Sequence, residues 1–219
     1  MEASGRFRVY RGVESVPHIN VQAVDSPTLY SVYRSGYADP DLQATVDALD
    51  TGDLIAATLD GDPDDDAEPW RLTAVERVDR VRTAVAVDID PPEVARECWT
   101  PGRTEPAYTV LTEDGDPVGV CGVQPRDPLP NGAFVPNVLT GLLPLEAEFE
   151  SVPKLDEPAV EAVFLDPDPP EASSYAWPYG VVYLFVRPST ASAERLRETY
   201  DCPLDADTRP IFDPYAIRR

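Results

Sequence analysis

Hydrophobic and polar residues alternate with a period of two along much of the first 90 residues, a pattern typical of half-buried β-strands. The alternation is clearest at residues 81–89, where apolar side chains and one threonine fill the odd positions. Four further strands are predicted here, at residues 6–10, 28–34, 54–59 and 70–78, and the last two form a hairpin across an acidic loop. Residues 11–27 show no such period, and we expect them to be irregular.

Helix signals lie between and after these strands. Asp39 can cap a helix that begins with Pro40 and ends before Gly52. Further short helices are predicted at about residues 90–98, near residues 137–143, and after Ser189 or Thr190.

The second part of the chain differs from the first in its proline content. Of the 25 prolines, five lie in residues 1–90 and twenty in residues 91–219. Proline cannot donate to a sheet ladder, so we expect short strands and ordered loops there. Strands are predicted at residues 108–112, 118–123, 160–165 and 180–186.

These elements predict an α+β fold that is rich in strands. A strand entered by Gly52-Asp53, a hairpin and an arginine-studded strand resemble, over about residues 50–90, a small β-barrel of the OB type. We therefore expect a barrel-like first part at residues 1–98 with one short helix, and a proline-rich α+β part at residues 107–219. The alternative is a single domain over residues 1–219, in which strands of both parts share a sheet.

The charge balance is strongly acidic, because 40 Asp and Glu residues outnumber 18 Lys and Arg residues and give a formal net charge of -22. Lys154 is the only lysine, so all the other residues among these 18 are arginines. We interpret this composition as adaptation to molar intracellular salt. At about 1 M salt the Debye length is about 3 Å, which screens the self-repulsion of such a chain. The fold is expected to loosen in dilute buffer.

The cellular location is predicted from the cysteines and the apolar runs. Cys98, Cys121 and Cys202 are widely spaced, which suggests reduced thiols in a cytosol. The longest apolar run, at residues 181–186, is too short to span a bilayer, and the N-terminal residues lack an apolar signal segment. We therefore expect a soluble cytoplasmic protein with no membrane partner.

The common catalytic and cofactor-binding motifs are missing from the sequence. His18 is the only histidine, and neither a Gly-x-Ser-x-Gly nucleophile elbow nor a glycine-rich phosphate loop occurs. The acidic loop at residues 60–68 lacks the glycine and the twelfth-position carboxylate of a calcium-binding EF-hand. No metal site and no cofactor are therefore predicted, and among 40 acidic residues no carboxylate can be singled out as catalytic.

The most cationic segment of the chain lies on the predicted strands of the first part. Arginines beside aromatic residues on a sheet can clamp phosphates and stack on bases. We interpret the following residues as a candidate nucleic-acid-binding site: Trp70, Arg71, Arg77, Arg80 and Arg82. The alternative is a solvent-exposed face on which Arg77, Arg80 and Arg82 pair with neighbouring acids, namely Glu76, Asp79 and Asp88.

A second group of aromatic residues lies toward the end of the chain. The candidate partner-binding residues are Trp177, Tyr179, Phe212 and Tyr215, the last two on a tail that is expected to dock back on the body. The alternative is that this group fills the core, because neighbouring Tyr183 and Phe185 lie within an apolar strand.

The lysine-poor composition, the strand at residues 52–59 and the sequence Ile-Phe-Asp-Pro-Tyr at residues 211–215 resemble the uncharacterised conserved proteins of halophilic archaea. This resemblance implies a haloarchaeal cytoplasm and no particular activity. From the residues themselves, we favour a non-enzymatic binding or accessory protein that contacts nucleic acid or an acidic partner through its arginine-rich face. The alternatives are an enzyme with an aromatic and carboxylate-lined pocket, and a protein-interaction module that uses the aromatic C-terminal part.

Overall fold

The computed structural model describes residues 1–12, 16–65 and 68–213, and those residues form ten β-strands and five α-helices. The strands are β1 (Glu2–Tyr10), β2 (His18–Ala23), β3 (Leu29–Tyr33), β4 (Asp53–Asp60), β5 (Arg71–Arg80), β6 (Arg82–Val87), β7 (Ala107–Glu113), β8 (Asp116–Pro125), β9 (Glu161–Asp166) and β10 (Tyr179–Phe185). The helices are α1 (Pro40–Asp47), α2 (Glu93–Cys98), α3 (Phe134–Thr140), α4 (Glu146–Glu150) and α5 (Ala191–Thr199). The chain divides into two compact units, the first comprising Met1–Arg80 and Val138–Glu146, and the second comprising Val81–Asn137 and the chain from Ala147 onward.

The first unit is built on a five-stranded antiparallel sheet in the order β3-β2-β1-β4-β5. Its two edge strands approach each other at one point, where an isolated parallel bridge joins Val32 of β3 to Trp70, the residue before β5. The mixed α+β, strand-rich class is confirmed. Neither sheet closes into a barrel within the part of the chain that the structure describes.

The expectation of an irregular segment at residues 11–27 is wrong for residues 18–23, which form β2. Ile19 and Val21 are 2% and 0% exposed in the core of the first unit, and Asn20 and Gln22 alternate with them. The strand spans only 6 residues between two prolines, so its alternation is a weak signal. Pairing with β1 on one side and β3 on the other makes this short segment a strand.

Helix α1 confirms the capping prediction. Its N-cap Asp39 accepts a hydrogen bond from the backbone N–H of Asp41 at 2.9 Å, and Pro40 is the first helical residue. Val46 and Leu49 are 4% and 2% exposed and pack in the core of the first unit. The helix predicted near residues 137–143 begins earlier, at Phe134, and α4 was not predicted.

The second unit is built on a sheet in the order β6-β9-β10-β8-β7, in which β6 runs parallel to β9 and the other neighbours are antiparallel. Strands β9 and β10 are buried along their whole length, which explains their runs of consecutive apolar residues. The strand predicted at residues 81–89 is confirmed as β6. Its partner β9 lies far along the chain, so β6 belongs to the second sheet.

A buried ion-pair network connects the loops of the second unit. Arg126 donates from Nη2 to Asp166 and Asp168, with nitrogen–oxygen distances of 2.5 and 3.0 Å. The same guanidinium donates from Nη1 to the carbonyl of Gly132 at 2.9 Å and from Nε to the carbonyl of Trp177 at 2.8 Å. Arg126, Asp166 and Asp168 are 6%, 0% and 5% exposed. All three guanidinium nitrogens are thus hydrogen-bonded in the interior, which is the requirement for burying such a group.

Candidate nucleic-acid interface

Trp70 and Arg71 lie where the two edge strands of the first sheet meet. The backbone N–H of Trp70 donates to the carbonyl of Ser31 at 2.8 Å, and the backbone N–H of Tyr33 donates to the carbonyl of Trp70 at 2.9 Å. These two hydrogen bonds fix the start of β5 beside β3. We call the four residues at this junction, Tyr33, Glu68, Trp70 and Arg71, the seam patch.

The seam patch contains a stacked cation and aromatic ring. The guanidinium carbon of Arg71 lies 4.4 Å from the centre of the Tyr33 ring, which is a cation–π contact. The hydroxyl of Tyr33 donates to Glu68 Oε1 at 2.9 Å, and this hydrogen bond raises the pKa of Tyr33. Because Arg71 is exposed and Tyr33 is half-buried, the stacked pair lies at the protein surface.

The indole of Trp70 anchors the seam patch from the inside. Its ring packs edge-on against Tyr30 with centroids 5.0 Å apart, and Tyr30 packs in turn against Phe7 of β1 at 5.8 Å. A Cβ atom at Gly61 would lie 2.4 Å from the indole, so the indole covers the backbone of the β4–β5 loop at that residue. Trp70 therefore holds the loop and the start of β5 in place.

Arg77 and Arg80 lie at the other end of β5, beside a buried carboxylate. Asp53, at the start of β4, is 0% exposed, and its oxygens lie 3.7 Å from Arg77 Nη1 and 3.3 Å from Arg80 Nε. Arg80 Nη2 also lies 3.4 Å from a carboxylate oxygen of Asp50. Burial raises the pKa of Asp53, although both arginines favour its charged form. The two arginines thus form ion pairs with acids of the β4 region.

Arg82 lies in the second unit, at the start of β6, where it is in register with Glu161 of β9. The five predicted residues therefore do not share one sheet. Trp70 and Arg71 are brought together at one end of the first sheet, whereas Arg77 and Arg80 surround Asp53 at the far end of β5.

The four aromatic candidates for partner binding differ in their surroundings. Tyr179 is 1% exposed, and its ring lies 5.9 Å from that of Trp177 between centroids. Trp177 is partly buried, with the guanidinium carbon of Arg96 5.6 Å from its ring centre. Phe212 is 4% exposed, and Tyr215 lies outside the described residues. Tyr179 and Phe212 therefore contribute to the interior of the second unit.

Metal-binding side chains form no cluster in residues 1–12, 16–65 and 68–213. No group of three or more His, Cys, Asp and Glu side chains there could hold a metal ion. The three cysteines are free, and burial raises the pKa of Cys121 to about 12, so its thiol is protonated at neutral pH. In the same ranges, none of the helices has the length and apolar character needed to cross a membrane.

Of the two members of the seam patch that the sequence alone did not single out, Tyr33 and Glu68, Tyr33 is the one that stacks with Arg71. It lies on a correctly predicted strand and shares a face with Leu29 and Ser31, opposite the buried Val32. Its contact with Arg71 depends on the bridge between β3 and β5, which no local pattern encodes. The available signal was a tyrosine on the half-exposed face of a short strand.

A family model covers nearly the whole chain. Residues 1–205 match the model described as "Family of unknown function (DUF6663)". No curated protein and no solved structure matches the chain. The function must therefore be argued from the geometry of the sites.

Proposed function

The chain belongs to this family of unknown function, DUF6663, and from its geometry we propose a non-enzymatic binding protein whose seam patch contacts single-stranded nucleic acid. The observation that carries the proposal is the stack of the Arg71 guanidinium on the Tyr33 ring at the junction of β3 and β5. Aromatic and guanidinium planes stack on unpaired bases, and a guanidinium also pairs with phosphate.

The architecture of the first unit supports this proposal. A five-stranded sheet whose edge strands approach each other resembles the partly open OB barrel, which binds single strands near its second and third strands and at its 4–5 loop. In this chain the corresponding elements are β2, β3 and the β4–β5 loop, and the seam patch lies on β3 and at the end of that loop. The likeness concerns the fold, so it supports the position of the site by analogy.

The face of the first sheet that would correspond to the binding face of an OB barrel is partly covered by another segment of the same unit. The side-chain amide of Asn20 in β2 donates to the carbonyl of Thr140 at 2.7 Å. Glu146 accepts two hydrogen bonds from Arg8 of β1, with nitrogen–oxygen distances of 2.6 and 2.7 Å. The segment Val138–Glu146 therefore lies on β1 and β2, and the proposed site is confined to the edge formed by β3 and the start of β5.

The acidic charge of the chain sets the conditions for binding. A formal net charge of -22 repels a polyanion at low ionic strength. At about 1 M salt, where the Debye length is about 3 Å, the long-range repulsion is screened while stacking persists. The protein accordingly acts in the molar-salt cytoplasm of a halophile, and stacking rather than net charge carries the affinity.

Fluorescence anisotropy with a labelled single strand of about ten nucleotides tests the proposal, with RNA and DNA in parallel at KCl concentrations from about 0.2 to about 2 M. The dissociation constant is expected to fall as KCl rises, opposite to the slope that counterion release produces. Arg71→Ala and Tyr33→Leu each remove one half of the stack. Each should weaken binding about tenfold, because one base stacked on an aromatic side chain contributes about 1–3 kcal/mol.

Two controls separate the seam patch from general effects of charge. Arg195→Ala is the matched control, since Arg195 is exposed on α5 of the second unit and its Nε donates to a carbonyl of its own helix. Arg77→Ala tests whether the binding surface extends along β5 beyond the seam patch. If Arg77 serves only to pair with Asp53, this variant should bind the strand with unchanged affinity. The proposal fails if no strand binds at any salt concentration, or if Arg71→Ala binds as tightly as Arg195→Ala.

A further inference from the structure

An open cavity of about 420 Å³ lies in the second unit. Its walls are the start of β6, one side of α5 and the segment that follows Cys202. This segment is held along β6, because the backbone N–H of Val85 donates to Thr208 Oγ1 at 2.9 Å. The charged residues that line the cavity are Arg82, Glu194, Arg197, Glu198, Asp201 and Asp205. Its volume lies in the range of small-molecule sites.

The two arginines of the cavity differ in what they contact. Arg197 donates from Nη1 to Glu161 of β9, a carboxylate that is 3% exposed. Arg82 is exposed, and its guanidinium has no hydrogen-bond or salt-bridge partner among residues 1–12, 16–65 and 68–213. Its charge lies close enough to favour the ionised form of Glu161, whose pKa burial raises. Arg82 is therefore the cation in this cavity that is available to a ligand.

The carboxylates of the cavity are spread along its wall. Glu194, Glu198 and Asp201 are separated by three or four positions, so they follow one face of α5 and its C-terminal end. Two arginines against four carboxylates give the lining a formal charge of -2. In the described ranges no three acidic side chains converge as a metal site would require. Separate negative charges of this kind suit an organic cation with more than one charged group.

We propose that this cavity binds a free amino acid with a cationic side chain, of the lysine class. The α-carboxylate pairs with the guanidinium of Arg82, whose planar fork matches a carboxylate. The two ammonium groups pair with the carboxylates on α5, and the methylene chain lies on Leu204. A simple anion would be repelled by the charge of the lining, and a diamine without a carboxylate would leave Arg82 unpaired.

Isothermal titration of the full-length protein with L-lysine, cadaverine and L-norleucine tests this assignment at a salt concentration where the protein is folded. Cadaverine is lysine without the carboxylate, and norleucine is its analogue without the side-chain ammonium group. L-lysine is expected to bind at least about tenfold more tightly than either, because each analogue loses one charge-assisted pair.

Variants of exposed lining residues assign the two ends of the ligand. Arg82→Ala should weaken L-lysine binding about tenfold and leave cadaverine binding unchanged, whereas Glu198→Gln should weaken both. Arg195→Ala, on the same helix but outside the lining, should bind L-lysine as the wild type does. Thermal melts of the variants confirm folding. The assignment is overturned if L-lysine does not bind. It is also overturned if Arg82→Ala binds L-lysine as tightly as the wild type does, because the carboxylates of the cavity would then attract any cation.

Discussion

Replacing Arg126 by methionine would leave the carboxylates of Asp166 and Asp168 buried without the cation that they share. Breaking a buried ion pair by removing one partner costs about 3–5 kcal/mol, mostly because the other charge stays desolvated. Here each carboxylate keeps a backbone donor, from Val135 at 3.2 Å and from Ala176 at 2.7 Å. We therefore expect the free energy of unfolding to fall by about 3 kcal/mol, near the lower end of that range. Methionine preserves most of the side-chain volume, so the loss reports the charge and its hydrogen bonds.

Urea denaturation at constant KCl measures this loss. A Trp70→Phe background leaves Trp99 and Trp177 as the fluorescent residues, and both lie in the second unit with Arg126. With a slope of about 2 kcal/mol per M of urea, a loss of about 3 kcal/mol lowers the unfolding midpoint by about 1.5 M.

Two further variants decide what the measurement means. Arg195→Met on the exposed side of α5 should change stability by less than about 0.5 kcal/mol. Adding Asp168→Asn to Arg126→Met removes one of the stranded charges and should recover about 1 kcal/mol or more. The reasoning is refuted if Arg126→Met costs less than about 1 kcal/mol and the added Asp168→Asn brings no recovery.

Two other predictions concern the dependence of stability on pH and salt. Since burial raises the pKa of Asp53, the folded state favours the protonated carboxyl, so the contribution of Asp53 to stability is largest at acid pH and is lost as pH rises through the folded pKa. Asp53→Asn should therefore have a melting temperature at pH 7 equal to or higher than that of the wild type. Between pH 7 and pH 4 the melting temperature of the variant should fall relative to that of the wild type. A variant that melts below the wild type at pH 7 and approaches it in acid would contradict this expectation. Because the formal net charge is -22, the melting temperature of the wild type should rise between low and molar KCl, and equal melts in both would show that self-repulsion does not limit the fold.

The sequence predicted the elements whose signals are local. The cap of α1 is confirmed, since Asp39 accepts from the backbone as expected. The strands predicted at residues 108–112 and 118–123 are confirmed as β7 and β8, and Asp114 and Gly115 in the turn between them have φ angles of 51° and 93°, as a tight two-residue turn requires. These features depend on residues a few positions apart, so a short stretch of sequence is enough to predict them.

The functional groups depend on contacts between distant residues. The sequence indicated the arginine-rich segment as a candidate site but not how its residues separate. The bridge of Val32 to Trp70 places Arg71 in the seam patch, and the register of β4 with β5 places Arg77 beside Asp53. With 40 acidic residues in the chain, the sequence cannot say which carboxylate an arginine meets.

By itself, the sequence determined the acidic, lysine-poor character of the chain, its strand-rich α+β class, and most of its strands and capped helices. The tertiary structure alone decided that β6 pairs with β9, that Tyr33 meets Arg71, and that Arg82 opens onto a cavity of the second unit. The physical reason is that alternation tells which face of a strand is buried but not which strand lies beside it. That choice is made by packing and hydrogen bonding over the whole chain, and each proposed site lies at a junction that it creates.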